Sequence, residues 1–445
     1  MEQHAHQPRV VIAGGGVGAV EAALAVRALA GPTPTIDLIS PNGTFVYRPM
    51  AVTEPFGGTP YAELDLEDLH HSHDVRRIDD AVASVRAEDR IVVLRSGEEV
   101  SYDALVVAIG ATPRAWLDGA VTFAGRPDVE AVRGVLDGVR AGDVEELLFA
   151  SPPGASWTLP LYELALLTAA WIADEGLSDI RLSLATAADQ PLGEFGPSAS
   201  RTVRDMLGDR GVRFLDTQVT GYDHAMVTLA GSRAVRADAV ITMAELTGNP
   251  LPGLPADDDG FIPVDDLMTV HGAEGIWAVG DATTFPIKQG GLAAQEADTA
   301  ASVIAGRLGA PVEPLPFQPV LRGMLLTGVT SAYLRGDGVA SETAFSPLWW
   351  PPTKLAGRYL APYLADRHEL DPSARELEDR HPVRHAGKER EEMRRIAVEF
   401  AEADALWGDY ESALRWLRTL EWIDGVLPAQ QAELRARWEL ELATR

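Results

Sequence analysis

A doubly wound, three-layer α/β fold, built twice in one chain and followed by a mixed and helical extension, is what this sequence predicts. Three observations carry that expectation. The β-branched run Arg9-Val-Val-Ile-Ala13 ends in the loop Gly14-Gly15-Gly16-Val17-Gly18-Ala19 and passes into an alanine-rich stretch, Val17 to Ala30, suited to a helix. After Pro113 the strand–helix alternation starts again. The 445 residues exceed what a single hydrophobic core organises, so two or three domains are expected.

Taken in order, Thr35 to Ile39 is a second strand and completes a strand–helix–strand unit, a Rossmann-like dinucleotide-binding half-fold. Ala81 to Arg86 and Arg90 to Leu94 read as hairpin strands, with turn residues at Glu88-Asp89 and Ser96-Gly97. Tyr102 to Gly110 reads as a buried strand closing on glycine. In the second unit Glu146–Ala150, Ile180–Leu184 and Val212–Leu215 are strands, and Leu161–Ala173 and Ser198–Arg210 are helices. A strand at Gly275–Val279 and a helix from about Gly291 close the first unit. The expected division is residues 1–112 with 245–310 as one domain, 113–244 as a second Rossmann-like domain, 311–388 as an interface segment and 389–445 as a helical appendage.

Composition narrows the function classes. The 46% hydrophobic content and near-zero mean hydropathy describe a packed globular protein. A formal charge of -28 makes a poor partner for nucleic acid phosphates and for anionic lipid. Cysteine is absent, which removes disulfides, thiolate metal sites and cysteine redox relays, so electron transfer would need a bound cofactor. Met1 to Pro8 is polar and lacks the charged-then-apolar pattern of an export signal. The longest apolar stretch, Leu159 to Ala173, contains Glu163 and falls short of the roughly 20 residues of a spanning helix. The expected location is cytoplasmic, with peripheral membrane contact left open.

The glycine loop has a physical reason at three places. Gly14 allows the strand-to-helix turn, Gly16 lets backbone approach a pyrophosphate, and the small Ala19 lets helix and strand pack closely. The first N–H groups of the helix, at Val17 and Gly18, then face the phosphates. The acidic residue expected after the second strand is missing, and Ser40-Pro41-Asn42 stands there. Ser40 can bond a ribose oxygen, or the three residues form a plain surface turn.

A second motif, Gly275-Ile-Trp-Ala-Val-Gly280-Asp281, precedes Phe285-Pro-Ile-Lys-Gln-Gly-Gly-Leu-Ala-Ala-Gln295. With the glycine loop and Ala108-Ile109-Gly110, it resembles the flavoprotein superfamily of pyridine-nucleotide disulfide reductases, in the branch of sulfide:quinone oxidoreductases and type II NADH dehydrogenases. The resemblance covers residues 9 to about 308 and implies FAD as cofactor. It implies that Asp281, with Gly280, holds the ribityl chain or phosphate, and that the helix beginning at Gly291-Leu292 aims its positive end at the flavin's pyrimidine edge. Lys288 would add positive charge there, or be a solvated surface lysine. Ala81 and Val82 match the segment whose backbone recognises adenine, Arg48 begins the loop beside the isoalloxazine, and Ala108 and Gly110 belong to the crossing strand.

Two departures bear on chemistry. Relatives that use NAD(P)H carry a second glycine fingerprint, whereas here Ser151 to Pro160 holds one glycine and three prolines, and proline offers no N–H to a phosphate. Relatives that oxidise sulfide do so through a cysteine pair, and none exists here. Glu163 matches a helix carboxylate near the flavin's substrate face and is a candidate proton carrier, or else a glutamate interacting with a helix N-terminus.

The stretch Pro314 to Ala365, with its Trp and Tyr residues and Arg322, Arg335, Lys354 and Arg358, suits an exposed interface with a partner subunit, another domain or a membrane. Three helices are expected beyond it: Glu391–Leu406, Tyr410–Trp422 and Ala429–Leu442. The resulting expectation is an FAD-dependent oxidoreductase, a homodimer, passing electrons from a small-molecule donor to a quinone or another acceptor without cysteine chemistry. Its rivals are an NAD(P)H:acceptor oxidoreductase with an unusual nucleotide loop and a non-catalytic flavin-binding interaction protein.

Overall fold

The computed structural model describes residues 7–58, 63–155, 157–338, 340–349, 352–366 and 427–443, with scattered positions between 398 and 420. Helices are α1 (Val17–Ala30), α2 (Asp68–His73), α3 (Val129–Ala141), α4 (Leu159–Asp174), α5 (Pro197–Asp209), α6 (Gly290–Arg307), α7 (Leu360–Asp366) and α8 (Ala429–Ala443). Two five-stranded parallel sheets organise the chain. The first runs Ile276–Ala278, Ala104–Val107, Arg9–Ala13, Thr35–Ile39, Val75–Ile78 across its width. The second runs Val121–Phe123, Ala239–Met243, Glu146–Ala150, Arg181–Thr186, Val212–Asp216.

Val10, Val11 and Ile12 are fully buried, as β-branched residues are when both faces of a parallel sheet are covered. Small residues then set the helix layer. The first turns of α1 carry Gly18, Ala19, Ala22 and Ala23, and α6 carries Ala293, Ala294, Ala297, Ala300 and Ala301, all buried, so the two helices lie close against each other. The chain leaves the first sheet through Ala111–Arg114 and returns through Glu245–Gly248, and these two segments pair antiparallel as a double connection.

Three antiparallel meanders flank the sheets. Val82–Arg86, Ile91–Leu94 and Glu99–Ser101 form one, of which the sequence shows the first two strands. Val219–Asp223, Met226–Leu229 and Arg233–Arg236 cover the second sheet, and Leu321–Leu326, Ser331–Gly336 and Ser341–Ala344 build a sheet that the sequence reading did not contain.

This last sheet packs much of Pro314 to Ala365 against the rest of the chain, which fits the alternative of a contact with another domain rather than an exposed aromatic surface. Leu348, Trp349, Leu355, Leu360 and Leu364 are buried in the largest core cluster, Trp349 meets Tyr333 edge-on at 5.2 Å, and Lys354 is 8% exposed. Of the large apolar residues here, Leu315, Val329 and Phe345 remain exposed. The expected helix at Ala429–Leu442 is present as α8, with Trp438 packed on Ala401, Ala413 and Leu417. The other two expected helices lie largely outside the described residues. No helix among the described residues is long and apolar enough to cross a membrane.

A pair of buried carboxyls ties this C-terminal segment to the first sheet's helices. Glu21 on α1 is fully buried and accepts from the N–H groups of Tyr359 and Leu360, at 2.8 and 2.7 Å, so it caps the start of α7. Its neighbour is Asp298 on α6, whose carboxyl is raised well above its ordinary value by burial and by Glu21, against the pull of Arg358 and Arg322. A carboxyl raised by folding binds its proton more tightly in the native state, so stability falls as pH climbs from the ordinary carboxylate range through the native value. Asp298→Asn is therefore expected to narrow the drop in Tm as pH rises from the ordinary carboxylate range, about pH 4, relative to the parent. Equal drops in the two proteins would show that Asp298 is already ionised when folded.

Candidate dinucleotide and redox site

The glycine loop closes as its residue types demand. Gly14 has φ +132°, and a Cβ there would lie 2.2 Å from the carbonyl oxygen of Ala108, so crossing strand and loop touch backbone to backbone. Its N–H donates to Ile39 at 2.9 Å. Gly18 packs on Val279, where an added Cβ would sit 3.0 Å from a side-chain methyl, and Ala19 is fully buried. Gly16 is different. It is the N-cap of α1, has no capping side chain and no acidic residue in the following turn, and an added Cβ would meet nothing within 4 Å. The first N–H groups of α1, at Val17, Gly18 and Ala19, are donors that a helix leaves without an intrahelical acceptor, and an uncapped helix start of this kind suits an anion such as a pyrophosphate.

At the end of the second strand Ser40 is 1% exposed. Its hydroxyl donates to the carbonyl of Asn42 at 2.9 Å, and a Cβ on Gly15 would lie 2.5 Å from it. Ser40 therefore builds the turn from inside rather than displaying its hydroxyl. The group that comes to this end is Arg77, which donates to the Ser40 carbonyl at 3.2 Å and pairs with Asp79 at 2.6 Å, while its Nε is buried without a hydrogen-bond partner. The sequence offered no signal for Arg77, because its place depends on the register Ile39 to Ile78. Val82 is half-buried beside a register shift between Val82 and Ser84, a bulge that turns backbone groups away from the ladder. Gly110 has φ +68°, and its carbonyl accepts from Asn249 at 3.1 Å.

The second motif meets the loop from the far end of the chain. Gly280 has φ +72°, and an added Cβ would come 3.1 Å from Ala293 on α6. Asp281 is half-buried, its carboxyl raised by burial and lowered by Lys288 and Arg48. Lys288 is half-buried too, donates to the Thr283 carbonyl and lies 3.9 Å above the Phe261 ring. Burial lowers its pKa, and Asp281, Glu296 and Asp257 oppose that shift. It is not the solvated surface lysine of the alternative reading. Arg48, exposed at the head of the 3₁₀ turn Arg48–Phe56, faces the same carboxylate.

The α6 N-terminus is less open than expected. The Gln289 side chain folds over it and accepts from the Leu292 N–H at 2.8 Å, while its amide donates to Arg322 at 3.0 Å. The Leu292 N–H is thereby spent, which corrects the expectation that it faces a ligand. Gly291 keeps its place in the first turn.

Glu163 is neither exposed to a substrate nor at a helix end. It is fully buried one turn into α4, and Lys354 donates to both its oxygens at 2.7 and 2.6 Å. Leu326 N–H adds a bond at 2.9 Å, and Lys354 also donates to the Pro49 carbonyl at 3.0 Å. In the first turn of α4, Leu161 and Tyr162 N–H groups bond back to Thr158 and Pro160 has no N–H, while Trp157 just ahead of it packs on Phe195 with ring centres 5.7 Å apart. The start of α4 therefore presents fewer donors than that of α1 does. Ser156 lies outside the described residues. Among the described residues no cluster of side chains suits a metal ion.

Comparisons with known proteins agree with this geometry. A model of the family described as pyridine nucleotide-disulphide oxidoreductase matches residues 8–140 and 164–301, more than half of the chain. The chain is 25% identical over 295 residues to sulfide-quinone reductase from Aquifex aeolicus (strain VF5), spanning 62% of this chain and 62% of that protein's length. It is 27% identical over 306 residues to the ferredoxin reductase component of chlorobenzene dioxygenase from Cupriavidus sp. (strain PS12), covering 58% of this chain and 68% of that one. Among solved structures, the sulfide:quinone oxidoreductase of Aquifex aeolicus superposes with a TM-score of 0.67 over 81% of this chain and 90% of its own, at 19% identity. A ferredoxin reductase from Rhodopseudomonas palustris gives 0.57 over 74% and 83%, at 20% identity. Those two likenesses are of fold. The glycine loop, the crossing strand and the Gly280-Asp281 turn all fall within the matched residues, and the chain belongs to the pyridine nucleotide-disulphide oxidoreductase family and takes FAD as its cofactor.

Proposed function

We propose that this protein is a flavin oxidoreductase that passes electrons from a reduced small-molecule donor to a quinone or another acceptor, without cysteine chemistry. The observation that carries the reading is the uncapped N-terminus of α1 at Gly16, on a loop whose Gly18 packs against Val279, two residues before Asp281 and delivered from the other end of the chain. Residues 1–112 and 245–310 would form the FAD domain, and 113–244 the second domain. Gly14, Gly16, Val17, Gly18 and Ala19 would seat the pyrophosphate, with Ala108 and Gly110 closing the turn behind it. Arg77 and the Val82 backbone would face the adenosine end, and Ser40 would shape the turn between them. Asp281 would hold the ribityl side, with Arg48, Lys288 and Gly291 supplying positive potential near the pyrimidine edge.

When bound, FAD supplies hydride acceptance and one- or two-electron release. What the chain supplies is position and charge. Lys288, held on Thr283 and over Phe261, cannot swing freely, so its charge is delivered at one place. Glu163, locked by Lys354, is better placed to fix the loop at Pro49 than to carry protons. The donor is proposed to be something other than NAD(P)H, because the loop ahead of α4 and its first turn spend or lack N–H groups that a second pyrophosphate needs.

Anaerobic stopped-flow mixing tests the reading. The purified protein is expected to be yellow, to lose its absorbance near about 450 nm only slowly with NADH or NADPH, and, once reduced by dithionite, to be reoxidised quickly by a short-chain quinone. Rapid bleaching by either nicotinamide would move the donor assignment to NAD(P)H. A colourless protein that takes up no FAD would overturn the whole reading.

A further inference from the structure

Beneath the Gly280-Asp281 turn lies a carboxyl with no assigned part in the site. Glu296 on α6 is 2% exposed, and its Oε2 accepts the Gly280 N–H at 2.5 Å. That bond fixes the Val279–Gly280 peptide, one residue ahead of Asp281, in a turn where φ is already +72°. We propose that Glu296 is a positioning residue for the dinucleotide: its un-ionised carboxyl holds the Gly280-Asp281 turn, and its ionisation weakens the hold on FAD.

The charges around Glu296 give the direction. Asp281 faces it as a like charge, Lys288 faces it as an opposite one, and Lys288 is shared with Asp281 and Asp257 while Arg48 faces Asp281. One ammonium therefore serves three carboxyls. Burial, reinforced by Asp281, pushes the Glu296 carboxyl up to about 8, against the Gly280 bond and Lys288. Below that pH the carboxyl is neutral and still accepts through its carbonyl oxygen. Above it, a second negative charge stands beside Asp281, on the ribityl side of an anionic dinucleotide. Ligand binding that prefers the neutral form weakens about tenfold for each pH unit above the free protein's value. A sterically important side chain without a titration would shift affinity equally at every pH.

The inference rests on the reading that FAD lies across this turn, so the experiment has one arm with FAD and one without. In the first, FAD dissociation constants are measured by flavin fluorescence from about pH 6.5 to about pH 9.5 for the parent, Glu296→Gln and Glu296→Leu. The parent is expected to weaken steeply above about pH 8, Glu296→Gln to keep the neutral-pH affinity with a flat profile, and Glu296→Leu to bind weakly throughout. Parallel profiles for the parent and Glu296→Gln would overturn the inference. In the second arm, urea unfolding of FAD-free protein is expected to show the parent losing stability against Glu296→Gln as pH rises from the ordinary carboxylate range to about 8, and holding level above it. A constant difference there would overturn the inference independently. A parent that binds no FAD, with the second arm behaving as expected, would mark the failure of the flavin reading and leave Glu296 a proton-holding residue of the turn alone.

Discussion

A Gly14→Val protein is expected to fold poorly and to emerge without flavin, whereas Gly16→Ala is expected to fold as the parent does and to lose only its flavin. The two glycines sit two residues apart, so the contrast isolates cause. At Gly14 an added Cβ would lie 2.2 Å from the Ala108 carbonyl oxygen, and φ is +132°, a region closed to L residues. Neither neighbour is a flexible side chain that can step aside. A non-glycine residue forced into such a conformation costs about 1–3 kcal/mol, and the backbone clash adds to it, so a loss of about 3 kcal/mol or more in urea unfolding is expected. At Gly16 φ is −92° and nothing stands within 4 Å of the added atom. Unfolding free energies within about 1 kcal/mol of the parent are expected there, the cost of alanine for glycine at an N-cap. The only thing a methyl at Gly16 can obstruct is whatever approaches the α1 N-terminus. FAD affinity unchanged in Gly16→Ala would place the pyrophosphate elsewhere, and a stable Gly14→Val would show that the crossing strand can retreat.

The same contrast shows why part of this molecule was readable in its sequence. The strand at Arg9–Ala13, the loop and α1 are local: β-branched residues, then glycines, then alanines, each type adopting the structure it favours without distant help. The long runs of the second sheet, such as Glu146–Ala150 and α4, were legible for the same reason. The meander at Val219–Arg236 was not, because strands of four or five residues interrupted by Gly221, His224 and Ala225 show no sustained alternation. Side-chain roles were less legible still. Gly16 and Asp281 could be named from motifs, but Glu296 reaches Gly280 across sixteen residues of chain, and Arg77 reaches Ser40 through sheet register. Lys354 was the hardest. A lysine among prolines and tryptophans reads as a solvent-facing charge at an interface, and nothing local says that its partner is a glutamate 191 positions earlier.

Lys354→Met is therefore the other large effect expected, and it reaches the site without touching it. The substitution keeps the length and most of the volume of the side chain, so packing changes little. What it removes is the counter-charge of Glu163, which is fully buried and keeps the Leu326 N–H among its donors. Breaking a buried ion pair from one side costs about 3–5 kcal/mol, because a charge is left without compensation. Replacing both partners removes the charge as well, so Lys354→Met with Glu163→Gln is expected to recover most of the loss while keeping an acceptor for Leu326. The double variant still lacks the bond from Lys354 to the Pro49 carbonyl, which ties the Arg48–Phe56 turn to the C-terminal segment. If that turn borders the flavin, the double variant recovers stability and yet binds FAD less tightly than the parent. Recovery of both together would confine Lys354 to the ion pair. A single variant within about 1 kcal/mol of the parent would mean that water reaches Glu163 and screens it as it does a surface charge. The expected split between stability and affinity follows from one ammonium making three bonds to two parts of the chain, α4 and the turn at Pro49, that the sequence holds more than a hundred residues apart.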